Sequence, residues 1–312
     1  MNNPESPYHP EIFSESDDAL AHFQPMRIEL PPPAHQKHGA ACACLLPVLL
    51  AAGMCLVGLA VYLLNPAPIT FLVLGIDRSP PGTALGRSDT IILTRVEPRQ
   101  PAVKLLSIPR DLWVPIPGAG NNRINTAHFF AESRQPGSGP AAAAQVVENQ
   151  LGVPVRYTVR LKFDAVVEIV DALGGIDIEL PTRIGDLHAG KHHLDGTAVL
   201  KLARDRQGAD DFYRMEHAQL LIRAVISRLL TPAAWQRLPA LYRAVVNNID
   251  TTLPLFELPR IGLAVLRAGK EGIDARSIPR EMTIPTTING AQVLLPRWER
   301  IRPLVQEMFG LK

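Results

Sequence analysis

Arginines and aspartates gather at the ends of apolar runs in this chain. The stretch LLSIPRDLWVPIPG (105–118) carries an apolar run through Pro109 directly into Arg110 and Asp111. ITFLVLGI (69–76) ends in Asp77 and Arg78, and GRSDTIIL (86–93) opens with Arg87 and Asp89. Further on, KLARDRQGADDFYR (201–214) places Arg204, Arg206, Asp210, Asp211 and Arg214 within eleven positions. One Arg-Asp pair at a strand end is an ordinary surface salt bridge of small worth. For either cluster alone, solvated arginines paired to their neighbours are an equally good reading. Repetition at strand ends and helix starts favours a ligand, because open α/β sheets carry ligands there. Guanidinium groups suit di-anionic phosphates, and carboxylates among them repel phosphate unless a cation lies between. Asp77 and Asp89 are therefore candidate Mg2+ ligands in a Mg–pyrophosphate site. Arg214, three residues after the helix-capping candidate Asp211, would sit with the helix N-terminus against phosphate.

Other chemistries find less support. No GxxxxGK[ST] loop surrounds Gly75, Gly82 or Gly86, and no GxSxG turn presents a serine. HAGKHH offers His188, His192 and His193 to zinc, but without cysteine or HExxH beside them. With aromatics at 5% of the chain, nucleic-acid binding is not expected.

The elements that must hold these charges follow from apolar pattern and punctuation. Runs at 69–76, 89–97 and 102–109 read as strands, the second and third separated by Pro98-Arg99-Gln100-Pro101. A helix at 141–151 stops at Gly152, an alternating strand covers 155–163, and an amphipathic helix at 163–173 stops at Gly174-Gly175. IDIEL (176–180) is a short strand and 197–204 a helix. A long helix runs from Asp211 to Leu230, with further helices at 233–248 and 255–268. AQVLLP (291–296) precedes a terminal helix from Trp298 to Phe309. Interleaved strands and helices without repeats imply one α/β domain, residues 66–312, with a central sheet covered on both faces. The stripes Val166, Ile169, Val170, Leu173 and Leu220, Leu221, Ala224, Val225, Leu229 are core by default, or cavity lining if an apolar chain enters.

Before that domain, residues 39–64 contain no charge, and 26 residues of helix span about 39 Å, more than the ~30 Å of a bilayer core. The run follows a polar, proline-broken tail at 1–38 and is longer than a signal peptide's apolar region, so it is expected to be one membrane anchor. Arg27 and Lys37 precede the run, and the next basic residue is Arg78, which puts the tail in the cytoplasm and the domain outside. The tail carries two basic and six acidic residues, leaving a mildly basic domain suited to an anionic ligand. Cys42, Cys44 and Cys55 all fall in the apolar run, so the exported part holds no disulfide.

These residues resemble the LytR-CpsA-Psr family of membrane-anchored enzymes. The resemblance is carried by LVLGID ending at Asp77, GRSDTIIL, LLSIPRD, RINTAH (123–128), VDALGGIDIELP (170–181), HLDGTAVLKLARDR (193–206) and DFYR (211–214), in family order across 69–312. It implies a single domain with a central mixed sheet between helices, and a prenyl chain bound in an apolar pocket. It also implies transfer of a glycopolymer phosphate from an undecaprenyl-pyrophosphate carrier to a peptidoglycan hydroxyl, releasing undecaprenyl phosphate. On the matching positions, Asp77 and Asp89 would bind Mg2+, with Mn2+ able to substitute. Arg78, Arg87, Arg110, Arg204, Arg206 and Arg214 would hold the pyrophosphate, supported by Asp211 and Gln219. Two positions depart from the pattern. The family's Ile-Glu-Arg-Gln-Gln segment reads Met215-Glu216-His217-Ala218-Gln219, so Ala218 replaces the first glutamine, and Arg78 follows Asp77 directly where the family places it one residue later. Asp77 or Asp89 could also take the hydroxyl proton, though a carboxylate on Mg2+ is a poor base, and Asp111 is a second choice beside a structural pairing with Arg110. A pyrophosphate hydrolase using the same site, or a regulatory protein that binds polyprenyl phosphates without turnover, are the alternatives.

Overall fold

The structure, a computed structural model, describes residues 40–64, 67–77, 80, 83–205 and 211–310, with 40–45 and Asp211 described by backbone alone. The chain divides into two compact units, residues 1–55 and 56–312. Helix α1 (Ala40–Leu63) includes Leu46–Leu63, the one segment among the described residues long and apolar enough to cross a membrane.

The second unit opens with the meander β1 (Ile69–Ile76), β2 (Ser88–Glu97) and β3 (Ala102–Ser107), then the hairpin β4 (Trp113–Ile116) and β5 (Gly120–Arg123). Helices α2 (Thr126–Arg134) and α3 (Gly139–Leu151) lead to β6 (Tyr157–Lys162) and α4 (Phe163–Ala172). A second hairpin, β7 (Ile176–Leu180) and β8 (Gly190–Leu194), precedes α5 (Gly196–Ala203) and the long α6 (Asp211–Leu229). Then come α7 (Pro232–Trp235), α8 (Leu238–Asn248), β9 (Ile249–Thr251), a 3-10 turn at Leu255–Glu257, α9 (Leu258–Ala268) and β10 (Ile273–Ser277). A second 3-10 turn (Arg280–Met282), the hairpin β11 (Thr283–Ile288) and β12 (Ala291–Pro296), and α10 (Trp298–Phe309) complete the fold.

The main sheet has the order β10-β3-β2-β1-β6-β9. β1/β6 and β3/β10 pair in parallel and the remaining pairs are antiparallel, so the sheet is mixed as expected. Its central strands read as continuous apolar runs because both faces are buried. Leu72, Leu74, Leu93 and Leu106 pack with α3 and α10 residues such as Val146, Val147, Ile301 and Phe309. The alternate residues Ile92, Val103 and Leu105 pack with Ala264 of α9, with Ile222 and Ile226 of α6 against them. A third cluster joins Val170 of α4, Ile176 and Ile178 of β7, Val199 of α5, and Leu221 and Ala224 of α6. Val166 and Val170 of the α4 stripe and Leu220, Leu221, Ala224 and Val225 of the α6 stripe thus belong to this cluster.

Two expected helices are each divided. The 233–248 segment breaks at 236–237, where Pro239 lies in the first turn of a new helix, a position that suits its fixed φ and missing N–H. The 255–268 segment begins as a 3-10 turn and becomes α-helical at Leu258, again with proline in its first turn.

α4 and α5 meet through Gly196, whose N–H donates to Asp171 Oδ1 at 2.8 Å. A Cβ on Gly196 would stand 2.3 Å from the Val167 carbonyl oxygen and 2.6 Å from its Cα. Backbone cannot swing aside as a side-chain tip can, so Gly196→Ala is expected to destabilise the fold by about 1–3 kcal/mol. A thermal melt of the full chain in detergent checks this, and an unchanged midpoint would contradict the packing described.

Candidate active site

β1 and β2 hold antiparallel register from Ile69↔Val96 to Gly75↔Thr90, then slip, so that Ile76 faces Ser88. Asp89 is the extra residue of this β-bulge, a device that re-aims a side chain beside functional sites. It therefore stands at the same sheet end as Asp77, the residue after Ile76. Gly75 makes the close approach possible. A Cβ there would lie 2.8 Å from Phe163 Cε1 and 3.0 Å from Thr90 Cβ.

Arginines from three elements converge on the two carboxylates. Arg110, after β3, donates from Nη1 to Asp89 Oδ1 at 2.5 Å, and Arg214 of α6 brings Nη2 to 3.9 Å from the same oxygen. Arg204, at the end of α5, donates from Nε to Asp77 Oδ1 at 2.7 Å and from Nη2 to Asp164 Oδ1 at 3.1 Å. Partial burial works against the Arg204 charge, but Asp77 and then Asp164 outweigh it and raise its pKa. Asp77 is nearly enclosed, its side chain 8% exposed.

Asp111 faces sideways, 3.6 Å from Arg110 Nε and 3.2 Å from Arg123 Nε, and its carbonyl accepts from the Leu294 N–H at 2.9 Å. Arg123 also donates to the Gln292 carbonyl. Asp111 thus braces Arg110 against the β4–β5 hairpin and β12. Gln219 donates to Ser107 Oγ at 3.2 Å, at the end of β3. Arg87 is exposed just before β2. Arg78 and Arg206 lie outside the described residues, and Asp211 is placed by its backbone alone, as the first residue of α6.

Behind these charges lies a void of about 30 Å3, room for about two waters. Asp89, Ser107 and Arg214 form its polar side, and Ile92, Phe163 and Met215 its apolar side. Ala218 also lines it.

Asn125 and His128, both within RINTAH but not singled out among the sequence candidates, are buried supports of the site. The Asn125 N–H donates to the Arg110 carbonyl at 3.2 Å, and its own carbonyl accepts from the Ser88 N–H at 3.4 Å. This ties the end of β3 to the start of β2. Asn125 Oδ1 and Ser88 Oγ are buried without a hydrogen-bond partner among the described residues. His128 Nδ1 lies 2.9 Å from the Gly86 carbonyl, which only accepts, so Nδ1 carries the hydrogen. Nε2 then accepts from Arg160 Nη1 at 3.2 Å. Arg160 in turn pairs with Glu132 at 3.0 Å and with Asp250. Burial pushes the Glu132 carboxyl up, but N–H groups of Gly137 and Gly139, then Arg160, bring it below its ordinary value. The network pins the loop that delivers Arg87 and Asp89. In the HAGKHH segment, His193 pairs with Asp177 and His192 with the His188 carbonyl, and no group of three or more metal-ligating side chains occurs among the described residues.

A family model for the LytR_cpsA_psr family matches residues 60–309. The chain belongs to the LytR-CpsA-Psr family. It is 31% identical over 211 residues to the polyisoprenyl-teichoic acid–peptidoglycan teichoic acid transferase TagU of Enterococcus faecalis, covering 65% of this chain and 67% of that protein. To TagV of Bacillus subtilis, named as the same kind of transferase, it is 26% identical over 208 residues, covering 61% of this chain and about half of the relative. The crystal structure of B. subtilis TagV shares the fold, with a TM-score of 0.66 at 24% identity over 80% of this chain and 99% of that one. A structure of TagT bound to LI-WTA aligns with a TM-score of 0.62 at 22% identity over 78% and 91%. Within this family fold, the bulged β1–β2 mouth and its arginines are the charged centre of the described domain.

Burial disfavours the imidazolium of His128, and of His217 on α6, so both pKa values fall below 6.5 in the fold. As pH falls, the unfolded chain takes up these protons first, so their stability is complete above about pH 6.5 and is lost below it. The melting midpoint of the full chain in detergent is expected to drop between about pH 7 and about pH 5, and His128→Gln to reduce that slope. An identical slope in the variant would show that His128 does not titrate in this way.

Proposed function

We propose that the chain is a phosphotransferase. It would move a glycopolymer phosphate from an undecaprenyl-pyrophosphate carrier to a peptidoglycan hydroxyl and release undecaprenyl phosphate. The observation that carries this reading is the convergence of Arg110, Arg204 and Arg214 on Asp77 and Asp89 at one sheet end. The transferase names of the TagU and TagV relatives give the same class of reaction.

The acceptor oxygen attacks the glycan-side phosphorus in line. The bond from that phosphorus to the bridging oxygen breaks, undecaprenyl phosphate leaves with the electron pair, and the hydroxyl proton passes to the departing phosphate oxygen, directly or through solvent. Positioning and charge neutralisation dominate such transfers. Arg110 and Arg214 bear on one side of the pyrophosphate and Arg204 on the other, with Arg87, Arg78 and Arg206 assigned to the same anion and Asp211 and Gln219 to its support. Asp111 positions Arg110 through its pairing with Arg123. Two carboxylates on adjacent strand ends fit Mg2+, a hard cation that takes one or two carboxylates beside phosphate oxygens and water, and Mn2+ accepts the same donors. The buried oxygens of Ser88 and Asn125, next to Asp89 and Arg110 and without a partner among the described residues, fit a site completed by further polar groups. When bound, the metal would neutralise charge on the reacting phosphate oxygens. Helix α1 would anchor the chain in the cell membrane, with residues 1–38 in the cytoplasm and the domain outside.

The test uses the full chain in detergent with a polyprenyl-pyrophosphate-linked saccharide and Mg2+, and follows polyprenyl monophosphate with and without peptidoglycan fragments. Asp89→Ala and Arg110→Ala are each expected to lower release about a hundredfold or more. Release at the full rate without acceptor would identify a hydrolase, tight binding without release a regulatory lipid binder, and full release by both variants a site elsewhere.

A further inference from the structure

The end of the sheet opposite the carboxylates carries a second organised surface. α9 crosses it beside the first residues of the domain. Glu257 and Arg260, both buried, pair at 2.6 Å, and Arg260 Nη2 donates to the Ala67 carbonyl at 2.9 Å. At the other end of α9, Arg267 donates to the Pro98 carbonyl at 3.2 Å. Ile69 pairs with Val96, so Ala67 and Pro98 belong to the same edge. The inner face of α9 is spent on the core, where Ala264 is buried and Ile261 and Val265 pack beside it. Its outer face is apolar too. Leu258 is 40% and Leu266 48% exposed, and the preceding turn adds Leu255 at 59% and Phe256 at 62%. Within residues 255–271 the exposed charges are Arg267, Lys270 and Glu271, while Arg99 and Arg156 are exposed on neighbouring segments of that edge.

We infer that this face lies on the membrane surface, with Leu255, Phe256, Leu258 and Leu266 among the lipid headgroups and the basic residues against anionic lipid. The inference rests on the reading of α1 as a membrane anchor. Chain length supplies the argument. From Leu63, the last residue of α1, to Ala67 there are four residue steps, which reach at most about 14 Å. Ala67, held by Arg260, can therefore not stand far from the headgroups, and the exposed apolar side chains around it face lipid. Exposed apolar side chains rimmed by basic residues offer a bilayer interface both apolar burial and attraction to anionic headgroups. β1 then sets the distance to the site. Asp77 is eight residues beyond Ile69, so the carboxylates lie about 26 Å along β1 from the edge that Arg260 and Arg267 hold.

The experiment uses nitroxide labels on the full chain, reconstituted in phosphatidylglycerol-containing vesicles, and reads collision with oxygen against a water-soluble nickel complex. With Cys42, Cys44 and Cys55 replaced, single cysteines are placed by Phe256→Cys, Leu266→Cys and, at the opposite end of the sheet, Thr83→Cys. A fourth sample keeps only Cys55, within α1. The ratio of oxygen to nickel collisions is expected to be severalfold higher at 256 and 266 than at 83, and Phe256→Glu to bring the 266 label back toward water. Labels at 256 and 266 as open to nickel as that at 83 would overturn the proposal, provided Cys55 is shielded in lipid. Labels shielded from both reagents would overturn it in favour of a second copy of the chain on this face. A nickel-accessible Cys55 would instead show that the anchor reading itself is wrong, and the docking proposal would fall with it.

Discussion

The candidate site depends on the β1–β2 bulge, which re-aims Asp89 at the sheet end where Asp77 stands, and on the guanidinium groups that pair with both carboxylates. Without the slip after Gly75, side-chain alternation would carry through the end of β2 and set Asp89 differently. With it, Asp77 and Asp89 share one sheet end, and arginines reach them from the end of β3, the end of α5 and the first turn of α6. An arginine in the first turn of a helix opposes the helix dipole. At Arg214 that disfavour is offset by Asp89 across the cleft.

The rest of the fold serves to hold those separate elements in one place. The sheet is buried on both faces, so β1, β2 and β3 cannot shift without disturbing two cores. The β4–β5 hairpin and Asn125 fix the Arg110 carbonyl, while Asp111 fixes its side chain through Arg123. The buried His128–Arg160–Glu132 group fixes the loop ahead of Asp89 through the Gly86 carbonyl. Arg110 and the loop carrying Asp89 are thus presented by segments that are themselves tied down. The charge of Arg110 is held by a carboxylate, which a phosphate could replace while a cation takes up that carboxylate.

Much of this was legible in the sequence, for physical reasons. Strands buried on both faces are unbroken apolar runs, which is why 69–76 matches β1 residue for residue. Gly152 at φ 70° and the Gly174-Gly175 pair at 75° and 82° end helices where left-handed backbone is required. What escaped were α2, whose TAHFFAESR has no clean apolar stripe, the short β4, β5 and β8, and strands whose stability is not local. β9, β10 and β11 lie at the sheet's edges or in a separate hairpin, with mixed sequences such as IDARS. The bulge left no mark, since SDTIILTRVE reads as a plain strand. The pairing of charges was hidden too. Composition placed arginines and aspartates near one another, but which guanidinium takes which carboxylate depends on contacts up to 127 positions apart, as for Arg204 and Asp77. The role of Asp111 likewise turned on Arg123, which nothing in the local sequence singled out.

If arginine–carboxylate pairs stand in for an anion and a cation, then the two ligands must help each other bind, because each takes up a partner the other releases. Calorimetric titration of the full chain with inorganic pyrophosphate, with and without Mg2+, measures that coupling directly. The account predicts that Mg2+ tightens pyrophosphate binding and that Asp77→Asn with Asp89→Asn abolishes the gain while leaving anion binding to the arginines. Pyrophosphate binding of the same strength with and without Mg2+ in the unaltered chain would contradict it.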